Sequence, residues 1–223
     1  MLKYDLQLFG GRGNAGERAS VVYENWTDKD AKREYSKYDY DVTSKEWADS
    51  TMYTGGRYYS AIQRALYTGK MRQTTYLDGV QDMSPYIQAI DNSMRPLSSN
   101  VELSRSISYD NWEKSVGVDL DTIQKITEAG STDLRGLNKA IGKSFSMKGY
   151  VSTSYNENQN AAAGSQVMIK FETPKGTKAV VTSNRMESEV ILHRNLDYRI
   201  TGYEIKTIAG TRKQIVFKAR VLN

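Results

Sequence analysis

The sequence predicts an α+β protein, and three observations carry that prediction. Apolar residues recur at helical intervals as far as Ile141. After Gly149 the interval changes to two, as in strands with one buried face. With 223 residues, the chain is long enough for one domain with a substantial core. Helices first and strands afterwards imply segregated α and β layers.

Residues 1–20 read as a tail, because Gly10-Gly11-Arg12-Gly13-Asn14-Ala15-Gly16 is glycine-rich and aperiodic. Residues 21–42 form a charged, tyrosine-rich lead-in, weakly helical or irregular. Residues 43–223 form one domain, its helical lobe at 43–100 and its β core with intervening helices at 101–223. Within the lobe, Tyr58, Ile62 and Leu66 fall one helical turn apart, and Gly69 is a suitable stop. Ser84-Pro85 is a suitable N-cap and first-turn pair for a helix carrying Ile87, Ile90 and Met94. Leu103-Ser104-Arg105-Ser106-Ile107 is strand-like. Asp119 caps a further helix with Leu120, Ile123 and Ile126, ending near Gly130. Beyond Gly149 the strands are Val167–Phe171, Lys178–Val181, Val190–Leu192, Tyr198–Thr207 and Lys213–Leu222, the last two joined across Ala209-Gly210. In the final strand Ile215, Phe217, Ala219 and Val221 face the core, and a mostly basic face with Val216, Lys218 and Arg220 points outward.

Composition narrows the chemistry. There is no cysteine, which removes thiol nucleophiles, disulfides and Cys-ligated metals. The single histidine, His193, removes His-rich metal sites and reads as a partly exposed strand-end residue. Catalysis therefore falls to carboxylates, hydroxyls and arginines. The formal charge is +5, and residues 164–223 hold 11 basic and 5 acidic groups. Their interspersed spacing fits the solvent face of a sheet better than a nucleic-acid surface. Tyr23, Tyr35, Tyr38, Tyr40, Trp26 and Trp47 read as packing of the helical lobe rather than as a nucleic-acid platform. No apolar run approaches the roughly 18 residues of a membrane helix, and Met1-Leu2-Lys3-Tyr4-Asp5 lacks a secretory apolar segment. The expectation is a cytosolic chain without a membrane partner.

Three stretches carry candidate chemistry: Arg105 within its strand, Ser152-Thr153-Ser154 at a strand end, and Glu187-Ser188-Glu189 before an apolar strand. Each is commonplace alone. Their order and flanks, with Tyr150-Val151 before the hydroxyls, Thr173-Pro174-Lys175-Gly176-Thr177 between, and Val190-Ile191-Leu192 after, resemble the Arg/Ser-Thr-Ser/Glu-x-Glu pattern of mono-ADP-ribosyltransferases. The likeness is to clostridial binary-toxin enzymatic subunits and C3-like exoenzymes, and covers Thr43 to Leu222. Upstream, Tyr59-Ser60-Ala61-Ile62-Gln63-Arg64-Ala65-Leu66 is similar to that family's helical Tyr-x-x-Ile-Asn-x-x-Leu-Arg stretch.

The resemblance implies a helical lobe packed on a mixed or antiparallel two-sheet core, NAD as substrate and no metal. It implies that Arg105 pairs with the NAD pyrophosphate, that Ser152 and Thr153 hold the nicotinamide-ribose pocket with Ser152 bonded towards Glu189, and that Ser154 steadies the loop. Glu189 would accept from the ribose 2′-hydroxyl and favour the developing cation. Glu187 would meet the acceptor, and Glu there goes with arginine of target proteins. The alternatives are a polyanion-binding module with a degenerate transferase fold, an NAD glycohydrolase, and a transferase acting on nucleic-acid bases. The N-terminal Met-Leu-Lys-Tyr-Asp-Leu-Gln-Leu-Phe-Gly-Gly resembles leaders of bacteriophage head-region proteins, implying a phage-encoded effector, carried with the virion or not, that modifies host proteins in the bacterial cytoplasm.

Overall fold

The computed structural model describes residues 21–37, 58–108, 111–159, 165–182, 188–208 and 212–222. The tail 1–20, Tyr38, Tyr40, Trp47, the Ala209-Gly210 turn and Glu187 lie outside them.

The lead-in contains a regular helix, α1 (Asp28–Ser36), where the sequence suggested weak or irregular structure. A capping box starts it: Thr27 accepts from the Asp30 amide, and the Asp30 side chain accepts from Thr27 N. Just before α1, Glu24 bonds through its backbone to Asn100 and Glu102, and Trp26 enters the core.

The helical lobe holds α2 (Tyr59–Thr68) and α3 (Ser84–Ser93). Gly69 ends α2 with φ +72°, a conformation that only glycine adopts without strain. The lobe is not helical throughout. Strands β1 (Arg72–Thr75) and β2 (Gly79–Asp82) form an antiparallel hairpin between the two helices. Tyr76-Leu77-Asp78 form its turn and Gly79, at φ +66°, opens β2, a local signal stronger than the diluted helical spacing around it. Ser84 is not the N-cap of α3. That position falls on Met83, and Asp82 Oδ1 accepts from the Ser84 amide instead.

The β core begins with β3 (Arg95–Pro96) and β4 (Val101–Ser106). Helices α4 (Trp112–Val116), α5 (Leu120–Thr127) and α6 (Arg135–Asn138) follow. Asp119 caps α5 as its sequence predicts, accepting from Thr122 N at 2.8 Å. Then come β5 (Ser144–Met147), β6 (Val151–Ser154), β7 (Val167–Thr173), β8 (Lys178–Val181), β9 (Glu189–Leu192), β10 (Leu196–Ile208) and β11 (Arg212–Leu222).

These strands form one nine-stranded sheet in the order β3-β8-β9-β6-β4-β7-β11-β10-β5. Among these described strands, β7 and β11 pair in parallel and the other pairs are antiparallel. The division expected between two sheets lies inside this one. β4 and β6 meet at a single residue pair, Ser104 opposite Ser154, whereas β4 pairs with β7 along its whole length. The seam separates β3-β8-β9-β6 from β4-β7-β11-β10-β5.

Two hydrophobic clusters pack against the sheet. The main core joins Leu103, Ile169, Phe171, Tyr198, Ile215, Phe217 and Ala219 to Trp112, Ile123, Ile126 and Leu137 of the helices. A second cluster packs Ile62, Ala65, Ile87 and Ile90 of α2 and α3 against Tyr150, Val180 and Ile191. Strands β8 and β9 thus have apolar material on both faces, which is why Val190-Ile191-Leu192 reads as an unbroken apolar run. Val216 departs from the outward face expected of it and is buried beside Met168. Lys218 and Arg220 are exposed, as that face was read.

Candidate active site

The site forms where the seam opens past the Ser104–Ser154 pair. Because β4 and β6 run antiparallel, Arg105 lies towards Thr153 and Ser152 as the strands part. Its guanidinium reaches across: Nη1 donates to Ser152 O at 2.6 Å, and Nη2 to Tyr59 Oη at 3.3 Å. Arg105 therefore ties three elements, β4, β6 and α2, and stays half-buried at the cleft.

Pairing of β6 with β9 sets Ser154 opposite Glu189 and Ser152 opposite Ile191. Alternation turns Tyr150, Ser152, Glu189 and Ile191 to the face covered by α2 and α3, and Thr153 and Val190 to the main core. Ser152 Oγ donates to Glu189 Oε1 at 2.6 Å, and Thr182 Oγ1 lies 3.3 Å from Glu189 Oε2. The carboxylate is 4% exposed, so these hydroxyls replace water as its donors. Ser188, just before it, has a left-handed backbone (φ +49°) and is fully buried. A serine held there is locally strained, as happens where surrounding structure dictates the direction of the next side chain.

Arg105, Ser152 and Glu189 are thus brought together. Thr153 is adjacent in sequence but gives its hydroxyl proton to Val190 O at 2.6 Å. Ser154 Oγ donates to Asn156 O and accepts from Asn156 N, closing the turn after β6. Glu187 lies outside the described residues. His193 is half-buried, with Nδ1 2.7 Å from Arg194 O.

Sequence reasoning assigned no role to Tyr59, Gln63, Asp91 or Thr182. Tyr59 and Gln63 share one side of α2 at helical spacing, a legible signal. Thr182 has none, since only the β8–β9 pairing brings it to Glu189. Gln63 Nε2 donates to Tyr150 O at 2.8 Å, holding β6 two residues before Ser152. Tyr150 Oη lies 2.6 Å from Asp91 Oδ1, and Arg194 clamps the same carboxylate with Nε and Nη2. Burial first, then the bond to Asp91, pushes the Tyr150 hydroxyl well above its ordinary range, so it stays protonated as a donor.

Gly149 permits this arrangement. A Cβ there would sit 1.7 Å from Gln63 Oε1 and 3.1 Å from Tyr67 Cε2. Gly149→Ala is expected to displace Gln63, break its bond to Tyr150 O and cost about 1–3 kcal/mol. A denaturant melt checks this, and a melt matching wild type would show that Gln63 moves aside freely.

The family profile described as ADP-ribosyltransferase exoenzyme matches residues 24–223. The chain belongs to that family. Comparison with curated proteins by sequence finds no match. Among solved structures, this ADP-ribosyltransferase is similar to Plx2a, an ADP-ribosyltransferase toxin from Paenibacillus larvae, at 24% identity over 87% of this chain and 94% of that one, TM-score 0.65. It is similar to BECa, the ADP-ribosylating toxin of a C. perfringens binary enterotoxin solved with NADH, at 19% identity, TM-score 0.67. There the match covers 86% of this ADP-ribosyltransferase but 46% of the toxin chain. C3stau2 from S. aureus, solved with NAD, matches at 20% identity over 91% of this chain and all of that one, TM-score 0.64. At such identities the structural likeness establishes a shared fold. Among the described residues of the ADP-ribosyltransferase, no group of three or more His, Asp or Glu is placed to hold a metal ion, and no helix is long and apolar enough to cross a membrane.

Proposed function

We propose that the protein cleaves the nicotinamide–ribose bond of NAD and transfers ADP-ribose to arginine side chains of proteins. The observation that carries this reading is the buried Glu189 carboxylate, held by Ser152 and facing a seam whose other side presents Arg105. The residues fit such a substrate. Arg105 is a planar donor suited to pyrophosphate oxygens, already anchored by two bonds so that little freedom is lost on binding. Nicotinamide leaves as a neutral base once its bond to ribose breaks, so the positive charge passes to the sugar. An adjacent carboxylate lowers the energy of that cation, as in glycoside cleavage. Thr182 and Ser152 fix Glu189 before the reaction, so no reorganisation is needed as charge develops.

Arginine as the acceptor rests on Glu187, two residues before Glu189 in sequence. A carboxylate there can orient a guanidinium and accept its proton as the new bond forms to ribose C1. Host bacterial proteins as acceptors, delivery by a phage and action in the bacterial cytoplasm follow only from the N-terminal likeness to phage head-region leaders. No observation favours the polyanion-binding reading: Lys170 and Arg220 of the basic face are occupied by Glu102, Glu157 and Glu172.

Labelled NAD with host lysate, followed by mass-spectrometric assignment of modified residues, tests this reading. ADP-ribose on arginines is the expected result, and label on nucleic acid alone would overturn the acceptor. Glu187→Gln should abolish transfer to arginine and spare NAD hydrolysis. Equal loss of both activities would refute a separate acceptor role.

A further inference from the structure

The sheet is weakest at the place where the site needs it to be accurate. Arg105 belongs to one half-sheet and Ser152 with Glu189 to the other, and the halves share one backbone pair. The main core runs beneath both halves, holding Val151 and Val190 with Leu103 and Ile169, but beyond the shared pair a cavity of ≈540 Å³ opens, lined by Trp26, Leu103, Tyr155 and Glu157 among others.

Ion pairs also cross the gap. After β6 the chain enters a 3-10 turn, Glu157–Gln159. The Glu157 carboxylate is 3.0 Å from Lys170 Nζ of β7 and 3.1 Å from Lys206 Nζ of β10. Lys170 also pairs with Glu102 of β4 at 2.9 Å. One carboxylate on the Ser-Thr-Ser side therefore engages two lysines on the Arg105 side. Burial would raise the Glu157 carboxyl, but the bonds from Lys170 and Lys206 outweigh it and hold it below the usual carboxylate range. It is ionised at neutral pH. The Lys170 side chain is 17% exposed while Glu157 and Lys206 are 39% and 32% exposed, so the Lys170 end of the network is the better shielded from solvent.

The same turn holds Glu189. Tyr155 N donates to Ser188 O at 3.0 Å, and Ser188 Oγ is hydrogen-bonded to Gln159 Oε1. Displacement of residues 155–159 would therefore carry Ser188 and Glu189 with it.

We propose that Glu157 is a positioning residue: its tie to Lys170 and Lys206 sets the separation between Arg105 and the Ser152–Glu189 pair, and with it the grip of the cleft on NAD. This rests on the NAD reading above. Glu157 itself is not placed to touch the substrate, because it lies beyond the Ser104–Ser154 pair from the cleft.

Glu157→Gln preserves shape, and the fold should survive because Lys170 keeps Glu102 and Lys206 keeps Glu204. The experiment measures KM and kcat for NAD hydrolysis, with thermal melts, for wild type, Glu157→Gln, Lys206→Met and the double variant. The expected result is a KM for NAD raised about 3–10-fold in Glu157→Gln, with kcat lowered as well because Glu189 moves with the turn, since small misplacements of such groups are felt strongly. The double variant should match Glu157→Gln alone, because the carboxylate is common to both ties. An unchanged KM, whatever the melt shows, would overturn the proposal, as would a double variant whose KM rises by the product of the single effects. Wild type that neither binds nor hydrolyses NAD would overturn the NAD reading first, and that result is visible before any substitution is made.

Discussion

Glu189→Gln is expected to lower NAD cleavage and ADP-ribose transfer by about 10²–10³-fold, the usual cost of removing one preorganised charge contact. The substitution is nearly isosteric. The amide oxygen can still accept from Ser152, and the amide nitrogen can still meet Thr182, so both hydroxyls keep a partner. What disappears is the negative charge beside the ribose when it becomes cationic. Stability should change little, or rise, because a 4%-exposed carboxylate is costly to bury and an amide is less so. Labelled transfer with a parallel melt checks both halves. Wild-type activity in Glu189→Gln would remove Glu189 from the mechanism, whereas lost activity with lost folding would reassign it to structure.

Arg105→Lys should be nearly as damaging, by about 10²-fold in kcat/KM, for a geometric reason. The guanidinium bonds Ser152 O and Tyr59 Oη with two separate nitrogens, and its planar fork is the shape that suits phosphate oxygens. An ammonium on a flexible stem cannot hold β6 and α2 at once and still present a planar fork. The loss should appear mainly as raised KM, and steady-state kinetics over a range of NAD concentrations will show it. A lysine variant with wild-type KM would mean that Arg105 serves the fold and leaves the substrate alone. Gly149→Ala acts on the same strand through Gln63 and Tyr150, and offers a comparison in which Arg105, Ser152 and Glu189 are unchanged.

Much of this was legible in the linear chain because local chemistry determines it. Asp119 caps its helix, Gly69 stops another, and alternation along Lys213–Leu222 announces a strand with one face buried. The α1 capping box was equally local, but Thr27 and Asp30 stand among many charges that conceal the signal. Flanking helical spacing masks the β1–β2 hairpin, whose strands are four residues long and joined by Tyr76-Leu77-Asp78. Val216 was placed outward by alternation alone, which cannot register a second covering layer.

Residue types, their order and their flanks determined by themselves the family, the α+β class and which side chains to examine. They could do so because a side chain's chemistry is a property of the residue. The tertiary structure decided what those groups touch. It placed Arg105 across a seam from Glu189, turned Thr153 away to Val190, and brought Tyr59 to Arg105 and Thr182 to Glu189. Such contacts depend on strand register and on which strands fail to pair, and both are set by burial over the whole chain.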